Sequence, residues 1–300
     1  MNELRDTEFC SKEIKAVFID ECHIVEEWGK EFRKGYHSLK NLPAVFTNAM
    51  FIGLSGTLTV LQLARLPSVL GMVDPAIIQD VPDRPNIYLS KICKDSIYEC
   101  GDVVGVFENI YVPEIDKLYA NPDLYPVTLM FLPMKYMSEA VRYITKMFGK
   151  QTIHASRYSC LYSTQDKEIT DVTLEELKKP DPRIRLILAT SSAGMGFDPV
   201  NITRVIHCCP PRCISRYLQE IGRAGRRNQQ AEALLYFDNN DIKANLPGIQ
   251  LDIIEYCKTT SCMRTLLLNV FGFEKNDKSP KGCMCCVNCR FCCKCSSCCK

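Results

Sequence analysis

Lys15-Ala16-Val17-Phe18-Ile19-Asp20-Glu21-Cys22-His23 is the stretch on which the fold turns. A short apolar run ends abruptly in two carboxylates. A second run, Met50-Phe51-Ile52-Gly53-Leu54, ends in the small-residue turn Ser55-Gly56-Thr57. Runs this short and apolar on both faces suit parallel strands covered by helices on both sides. In open α/β sheets, ligands collect at the carboxyl ends of the strands. Asp20 and Glu21 therefore fall where a site belongs. Paired carboxylates there can hold Mg²⁺ through water and orient an attacking water. The competing reading is a solvated acidic turn.

Between the two runs, residues 24–40 carry mixed charge and aromatic groups at roughly helical spacing. Gly71, Pro75, Pro82 and Pro85 mark residues 71–86 as a linker. A second α/β series follows, with strands expected at Ile87–Lys91, Val127–Phe131, Ile184–Thr190, Thr203–His207 and Ala233–Phe237. Helices are expected over 136–148, 171–177 and 214–221. Strands alternating with helices argue for parallel sheets built from βαβ units. Residues 251–271 read as helical. From Lys275 the chain is Cys, Lys, Ser and Gly with almost no core formers, so it needs a metal or a partner to fold.

Composition sets the outer bounds. The 300 residues suggest roughly two domains at about 150 residues each. Hydrophobic content of 46% and charged content of 24% exclude a mainly disordered chain. Lys plus Arg (37) nearly cancel Asp plus Glu (35), so net charge gives no argument for nucleic acid. The charge runs from −3 over 1–80 through +1 over 81–245 to +4 over 246–300, which places any basic end at the C-terminus. No apolar run reaches the ~18 residues of a membrane span, and Met1 to Asp6 is not a signal peptide. Of 19 cysteines, 11 lie from Cys257 onward. In a reducing compartment such clustering reads as metal ligation rather than disulfides.

Further residues carry chemistry. In Gln219-Glu220-Ile221-Gly222-Arg223-Ala224-Gly225-Arg226 the two arginines stand three apart, so they can point the same way from a helix end. Two guanidiniums suit planar contact with phosphate oxygens; the alternative is a basic surface turn. Gly194 and Gly196 flank Met195 after a strand and allow close backbone approach to phosphate or DNA. A plain turn would account for one glycine better than for two plus Asp198. Trp28, Phe32 and Arg33 can stack on bases or meet phosphate without base preference, or pack a helix into the core. His23 is a core histidine or a coupling residue. Cys283, Cys286, Cys289, Cys292, Cys295 and Cys298 repeat at three-residue spacing, and Cys-x₂-Cys places two thiolates on one tetrahedral Zn²⁺.

Taken in order, these motifs resemble the RecQ-type DNA helicases of superfamily 2 over nearly the whole chain. Asp20-Glu21-Cys22-His23 resembles the DEAH-type box, with Cys22 where Ala is usual. The resemblance carries the Mg²⁺ carboxylate onto Asp20 and the water-activating carboxylate onto Glu21. The segment His23 to Tyr36, with Trp28, Phe32 and Arg33, resembles the aromatic-rich loop that couples single-stranded DNA to the ATP site. Ser55-Gly56-Thr57 resembles motif III, and Arg84-Pro85-Asn86-Ile87 the junction into the second RecA-like domain. Ala189 to Asp198 resembles motif V. Gln219 to Arg226 resembles motif VI, with the arginine finger on Arg223 or Arg226. Ser55, Thr57, Gly196, Asp198 and Gln219 become nucleotide-binding positions by the same resemblance. The family's zinc ligands fall on Cys262, Cys283, Cys286 and Cys289, with Cys257 able to replace Cys262. The remaining thiols would bind a second metal or form a disordered tail, and the tail is the preferred reading.

The resemblance implies an α/β chain. It would hold a partial RecA-like parallel-sheet domain over 1–80, a complete one over 81–245, and a small Cys-rich helical zinc module over 246–300. It implies ATP-dependent 3′-to-5′ unwinding of DNA in repair or recombination. ATP would bind between the two domains, with Mg²⁺ and Zn²⁺ as cofactors, single-stranded and duplex DNA as partners, no membrane, and an intracellular, nuclear setting. No Gly-x₄-Gly-Lys-Ser/Thr occurs: Gly29-Lys30 is followed by Glu31 and Gly149-Lys150 by Gln151. That phosphate-cradling loop is expected about a hundred residues before Asp20 in this family, and only 19 residues precede it. The expectation is an N-terminally truncated product or a degenerate homologue. A non-catalytic nucleic-acid- or protein-binding remnant, and a cysteine-rich metal-binding protein, stay open as alternatives.

Overall fold

The computed structural model describes residues 14–23, 39, 41–94, 103–149, 156–191 and 199–296. The chain divides into two compact units, residues 1–82 with 268–274, and residues 83–267 with 275–300. Each is described by itself.

In the first unit, β1 (Ala16–Ile19) pairs in parallel with β2 (Met50–Gly53), Ala16 opposite Met50 and Ile19 opposite Gly53. A four-residue turn of helix, α1 (Leu42–Val45), precedes β2. After β2 comes α2 (Val60–Leu70). Thr59 starts α2 with a capping box: its hydroxyl accepts from Gln62 N at 3.2 Å, and the Gln62 side chain accepts from Thr59 N at 3.0 Å. Gly71, at φ 68°, ends it in the left-handed conformation that glycine adopts freely. Leu66 and Leu70 bury against Ile19 and Cys22, with Val17 and Met72 alongside. This core covers one face only. Strand residues alternate faces, so Val17 and Ile19 turn inward while Phe18 is 63% exposed. The expectation of helices on both faces is not met among the described residues of this unit.

The second unit is built on a six-stranded, wholly parallel sheet in the order β3-β8-β7-β4-β6-β5. The strands are β3 (Ile87–Cys93), β4 (Thr128–Phe131), β5 (Tyr158–Leu161), β6 (Leu186–Ala189), β7 (Arg204–His207) and β8 (Ala231–Phe237). Every residue of β4 and β6 is buried, as continuous apolar strands in the middle of a parallel sheet must be. Crossovers run through α3 (Val103–Ala120), α4 (Met134–Phe148), α5 (Lys167–Lys178) and α6 (Ile214–Ile221). Ile110, Ile115 and Leu118 of α3 and Ala140 and Ile144 of α4 pack with Met130, Leu188 and Ile206 in the main core.

After β8 come α7 (Leu251–Lys258) and α8 (Met263–Val270), then a 3₁₀ turn (Gly282–Met284) and α9 (Val287–Phe291). Residues of this segment that belong to the second unit contact β3, the outer strand of the six. Cys286 forms a parallel bridge with Leu89 of β3. Lys91 of β3 donates to the Cys257 carbonyl at 2.7 Å and also to that of Thr259. An edge strand left bare invites pairing with other chains, and here the C-terminal segment covers it. Arg264 of α8 is 1% exposed and bonds Asp83 and the carbonyls of Arg84 and Ile87. Among the described residues no helix is long and apolar enough to cross a membrane.

Candidate functional site

The hydrogen-bonded ladder of the first unit continues past its strands. Leu54 N donates to Ile19 O, and Cys22 N to Leu54 O, each at 2.9 Å. The acidic turn and the Ser55 turn are thereby fixed side by side at the carboxyl ends of β1 and β2. Asp20 and Glu21 are exposed. Glu21 sits at φ 49°, and its N–H donates to Asp20 Oδ1 at 2.9 Å. A left-handed conformation at a non-glycine residue costs about 1–2 kcal/mol and persists only where the surroundings enforce it.

Cys22 points inward and is 1% exposed, and burial pushes its thiol pKa up. A Cβ at position 53 would stand 3.3 Å from Cys22 Sγ. Glycine at 53 thus makes room for a side chain larger than the alanine usual in this motif. His23 is buried, with Nδ1 2.9 Å from Ser55 Oγ and 3.3 Å from Glu21 Oε2. Ser55 Oγ also accepts from Thr57 N at 3.3 Å. His23 therefore joins the carboxylate turn of one strand to the hydroxyl turn of the next. Thr57 Oγ1 is buried with no hydrogen-bond partner among the described residues.

In the second unit, α6 ends at Ile221 and the arginine segment follows as a turn. Gln219 is half-buried on α6, Arg223 is buried and Arg226 exposed. The two arginines thus lie on a loop broken by Gly225 at φ 66° and not on one helix face. That loop is clamped by Arg84, which donates to the carbonyls of Gly222, Ala224 and Gly225, and by Asn86, which donates to those of Gly225 and Gln229 at 2.8 Å. Behind it lies a pair that sequence reasoning missed. His207 Nε2 and Glu220 Oε2 are 2.8 Å apart, both almost fully buried, with the imidazole stacked on Phe131. The available signal was a histidine ending a strand and a carboxylate inside the arginine motif.

A cavity of about 380 Å³ opens at the carboxyl ends of β3, β4, β7 and β8. Lys94, Tyr136, Cys209, Arg212, Arg216 and Asp241 line it. Lys94 Nζ bonds Asp241 Oδ2 at 2.6 Å and the Cys208 carbonyl at 3.2 Å, which leaves Arg212 as an exposed cation on its rim. Burial pushes the Cys209 thiol up to about 12.

The cysteines form two groups. The sulfurs of Cys262, Cys285, Cys286 and Cys289 lie within 4.8 Å of one another, with Cys262 and Cys285 at 3.6 Å. Four thiolates at ~2.3 Å from a tetrahedral Zn²⁺ stand about 3.8 Å apart, so this donor set fits the ion. Hydrogen bonds from the Cys285 and Cys286 thiols hold Cys262 well below the usual thiol range, while burial pushes Cys289 up to about 12. Lys275 Nζ approaches Cys285 Sγ at 3.4 Å and offsets part of the negative charge that metal binding would gather. Cys283 is absent from this group, and Cys285 stands where the sequence reading placed it. In a 3₁₀ turn each residue rotates by a third of a turn, so Cys283 and Cys285 cannot face the same point. Cys286 caps α9 and Cys289 follows one turn later on the same side.

Trp28, Phe32, Arg33, Gly196 and Asp198 lie outside the described residues.

Comparison with known proteins puts these geometries in context. Residues 115–228 match the family described as "Helicase conserved C-terminal domain". The chain is 26% identical over 292 residues to the ATP-dependent DNA helicase RecQ of Pasteurella multocida, covering 92% of this chain and 42% of that protein. It is 27% identical over 296 residues to the mouse bifunctional 3′-5′ exonuclease/ATP-dependent helicase WRN, covering 92% of this chain and 20% of that protein. The chain thus spans less than half the length of these curated relatives. Among solved structures it resembles the Mycobacterium smegmatis helicase Lhr bound to ssDNA and AMP-PNP. The TM-score is 0.59 at 19% identity, covering 84% of this chain and 31% of that one. The DUF1998 helicase MrfA bound to DNA gives a TM-score of 0.54 at 14% identity, covering 75% and 31%. At these identities the structural likeness establishes the RecA-like fold.

Proposed function

We propose that this chain, which belongs to the RecQ-type helicase family of superfamily 2, supplies catalytic and DNA-binding parts of an ATP-dependent 3′-to-5′ DNA helicase. The observation that carries the reading is the link from Glu21 through His23 to Ser55 across two adjacent strand ends. Such a link makes the position of the carboxylate depend on the next turn, which an unconstrained acidic turn does not need. In this reading Asp20 would hold Mg²⁺, and Glu21 orients the attacking water and takes its proton. The metal would neutralise charge on the phosphates. Arg223 and Arg226 stabilise phosphoryl oxygens, the loop that carries them being held by Arg84 and Asn86. Ser55, Thr57, Gly196, Asp198 and Gln219 contact or sense the nucleotide.

Trp28, Phe32, Arg33 and His23 serve the DNA strand, and Arg212 and Arg216 add cations at the carboxyl ends of the strands, where ligands collect. Zn²⁺ would be held by Cys262, Cys285, Cys286 and Cys289 in a closed structural site. The domain reading of 1–80, 81–245 and 246–300, a role in repair or recombination and a nuclear setting belong to the same proposal.

Fluorescence anisotropy on labelled single-stranded DNA tests it. The expected result is weak binding without base preference that falls steeply with salt, because phosphate contacts release counterions. Trp28→Ala should weaken it ~5- to 150-fold, the equivalent of ~1–3 kcal/mol per stacked base. Equal affinity of both proteins at matched stability would make Trp28 a core residue and remove the DNA assignment of its segment.

A further inference from the structure

The large apolar side chains of the last described segment face the wrong way for a hydrophobic core. Met284 is 66% exposed and Phe291 is 85% exposed. Of the cysteines around them, Cys285 and Cys286 are buried, and Cys283, Cys289, Cys293 and Cys295 are half-buried. Burial of apolar surface therefore does not hold this segment, and the sulfurs are what its chain path converges on.

Beyond the first four, a second set converges independently. The sulfurs of Cys283, Cys293 and Cys295 lie within 4.8 Å of one another, with Cys283 and Cys295 at 3.6 Å. The path that joins them is specific. Gly282, at φ 55°, opens the 3₁₀ turn that presents Cys283 away from Cys285. Helix α9 then carries the chain outward, and Cys292 ends it. Cys293 N bonds the Arg290 carbonyl at 3.1 Å, which turns the chain back so that Cys293 and Cys295 return to Cys283. Closing such a loop costs chain entropy, and one sulfur–sulfur contact at 3.6 Å with a third thiol nearby does not offset that cost. A cation bound to the three thiolates does.

The geometry points to a second metal site on Cys283, Cys293 and Cys295, for a soft thiophilic cation of the Zn²⁺ or Cd²⁺ kind. Thiolate donors select such ions. Three sulfurs cannot all be satisfied by one disulfide, which would leave one over. On binding, three thiols release their protons to the buffer and three S–metal bonds form. Three thiolates leave the fourth tetrahedral position to water or another donor. All three cysteines are only half-buried. The ion here should therefore exchange faster than one held by the closed set of four. The assignment also explains why the regular Cys-x₂-Cys ladder fails at its first member: Cys283 is committed to the other ion.

Metal content of the purified full chain tests the inference. Native mass spectrometry after loading with Zn²⁺, under reducing conditions, should give two ions per chain. A brief exposure to a chelator should remove one of them first. The variant C283S/C293S/C295S should hold one ion, with the hydrogen-exchange protection of α8 unchanged. The variant C262S/C289S should keep the fast-exchanging ion, which separates this site from the zinc reading of the first group. Cd²⁺ should reproduce both stoichiometries. A wild-type chain saturating at one ion, a triple-serine variant that still holds two, or an intact mass showing an oxidised Cys283–Cys295 pair in the metal-loaded protein would each overturn the site.

Discussion

Replacing Gly225 with alanine tests whether the arginine loop is held as the geometry indicates. Gly225 sits at φ 66°, where an alanine costs about 1–2 kcal/mol. Its Cβ would also fall well inside contact distance of Asn86 Nδ2, while standing 3.0 Å from Gln229 O and 3.2 Å from Ala231 Cβ. The Asn86 amide must then move, and it makes two 2.8 Å hydrogen bonds to the carbonyls of Gly225 and Gln229. At about 0.5–1 kcal/mol each, their loss brings the total to roughly 2–4 kcal/mol. With a urea m-value of about 2 kcal/mol/M, the midpoint followed by circular dichroism should fall by about 1–2 M. The double-mutant cycle is the sharper measurement. Asn86→Ala removes the amide that the new Cβ would strike, so in that background Gly225→Ala should cost only the backbone contribution. The coupling should be about 1–2 kcal/mol in the relieving direction, beyond the ~0.5 kcal/mol scatter of independent sites. An additive cycle would show that Asn86 does not clamp this loop.

Arg264→Met should destabilise the second unit by about 3–5 kcal/mol in the same assay, because it leaves Asp83, 7% exposed at its side chain, with Ser279 as its remaining side-chain partner among the described residues; a loss under 1 kcal/mol would contradict the buried pairing. Burial raises the Asp241 pKa despite Lys94 beside it, so the native state holds that proton more tightly than the unfolded chain, and the stability it contributes at acid pH is lost as pH rises from about 4 through the raised value. Asp241→Asn should flatten that slope, and an unchanged pH profile would refute the assignment. The 300-residue chain should hydrolyse ATP no faster than its Glu21→Gln variant, since no Gly-x₄-Gly-Lys-Ser/Thr cradles the phosphates; DNA-stimulated turnover abolished by that substitution would show otherwise.

Elements with a strong local signature were legible. Helix α6 spans the expected 214–221, and β4, β6 and β7 lie inside their expected runs. β4 and β6 are almost wholly apolar, β7 has Val205 and Ile206 at its centre, and α6 has a clear helical period. The helices α1, α2, α3 and α9 and the strand β5 were not anticipated, and β5 and α3 show why. β5 reads Tyr158-Ser159-Cys160-Leu161, at the end of the sheet, and is too polar to register as a core strand. Helix α3 holds Pro113 in its interior, a residue that ordinarily stops a helix by removing a donor and clashing with the preceding turn. Tertiary contacts override that signal: Ile110, Tyr111, Ile115 and Leu118 on either side of Pro113 are almost fully buried. Propensity is local, and the burial that outweighs it is not.

The site divides along the same line. Which chemistry the chain carries was legible, because carboxylates at a strand end, paired arginines and clustered thiols are properties of residue type and order. Which atoms meet was not, because that depends on rotation about short irregular segments. Counting in threes along Cys283, Cys286 and Cys289 assumes that the chain between them is regular. One 3₁₀ turn at Gly282–Met284 breaks the count, faces Cys283 away and brings in Cys285, a residue the spacing gave no reason to prefer. Likewise the interval between Arg223 and Arg226 suits a shared helix face only if a helix persists, and α6 ends two residues before the first of them. His23 shows the converse. Its partner Ser55 is 32 residues away, yet both directly follow neighbouring parallel strands, so once the strands pair in register their turns must meet. Spacing predicts contacts between residues on regular elements in register, and its power stops where a turn sets the direction of the side chain.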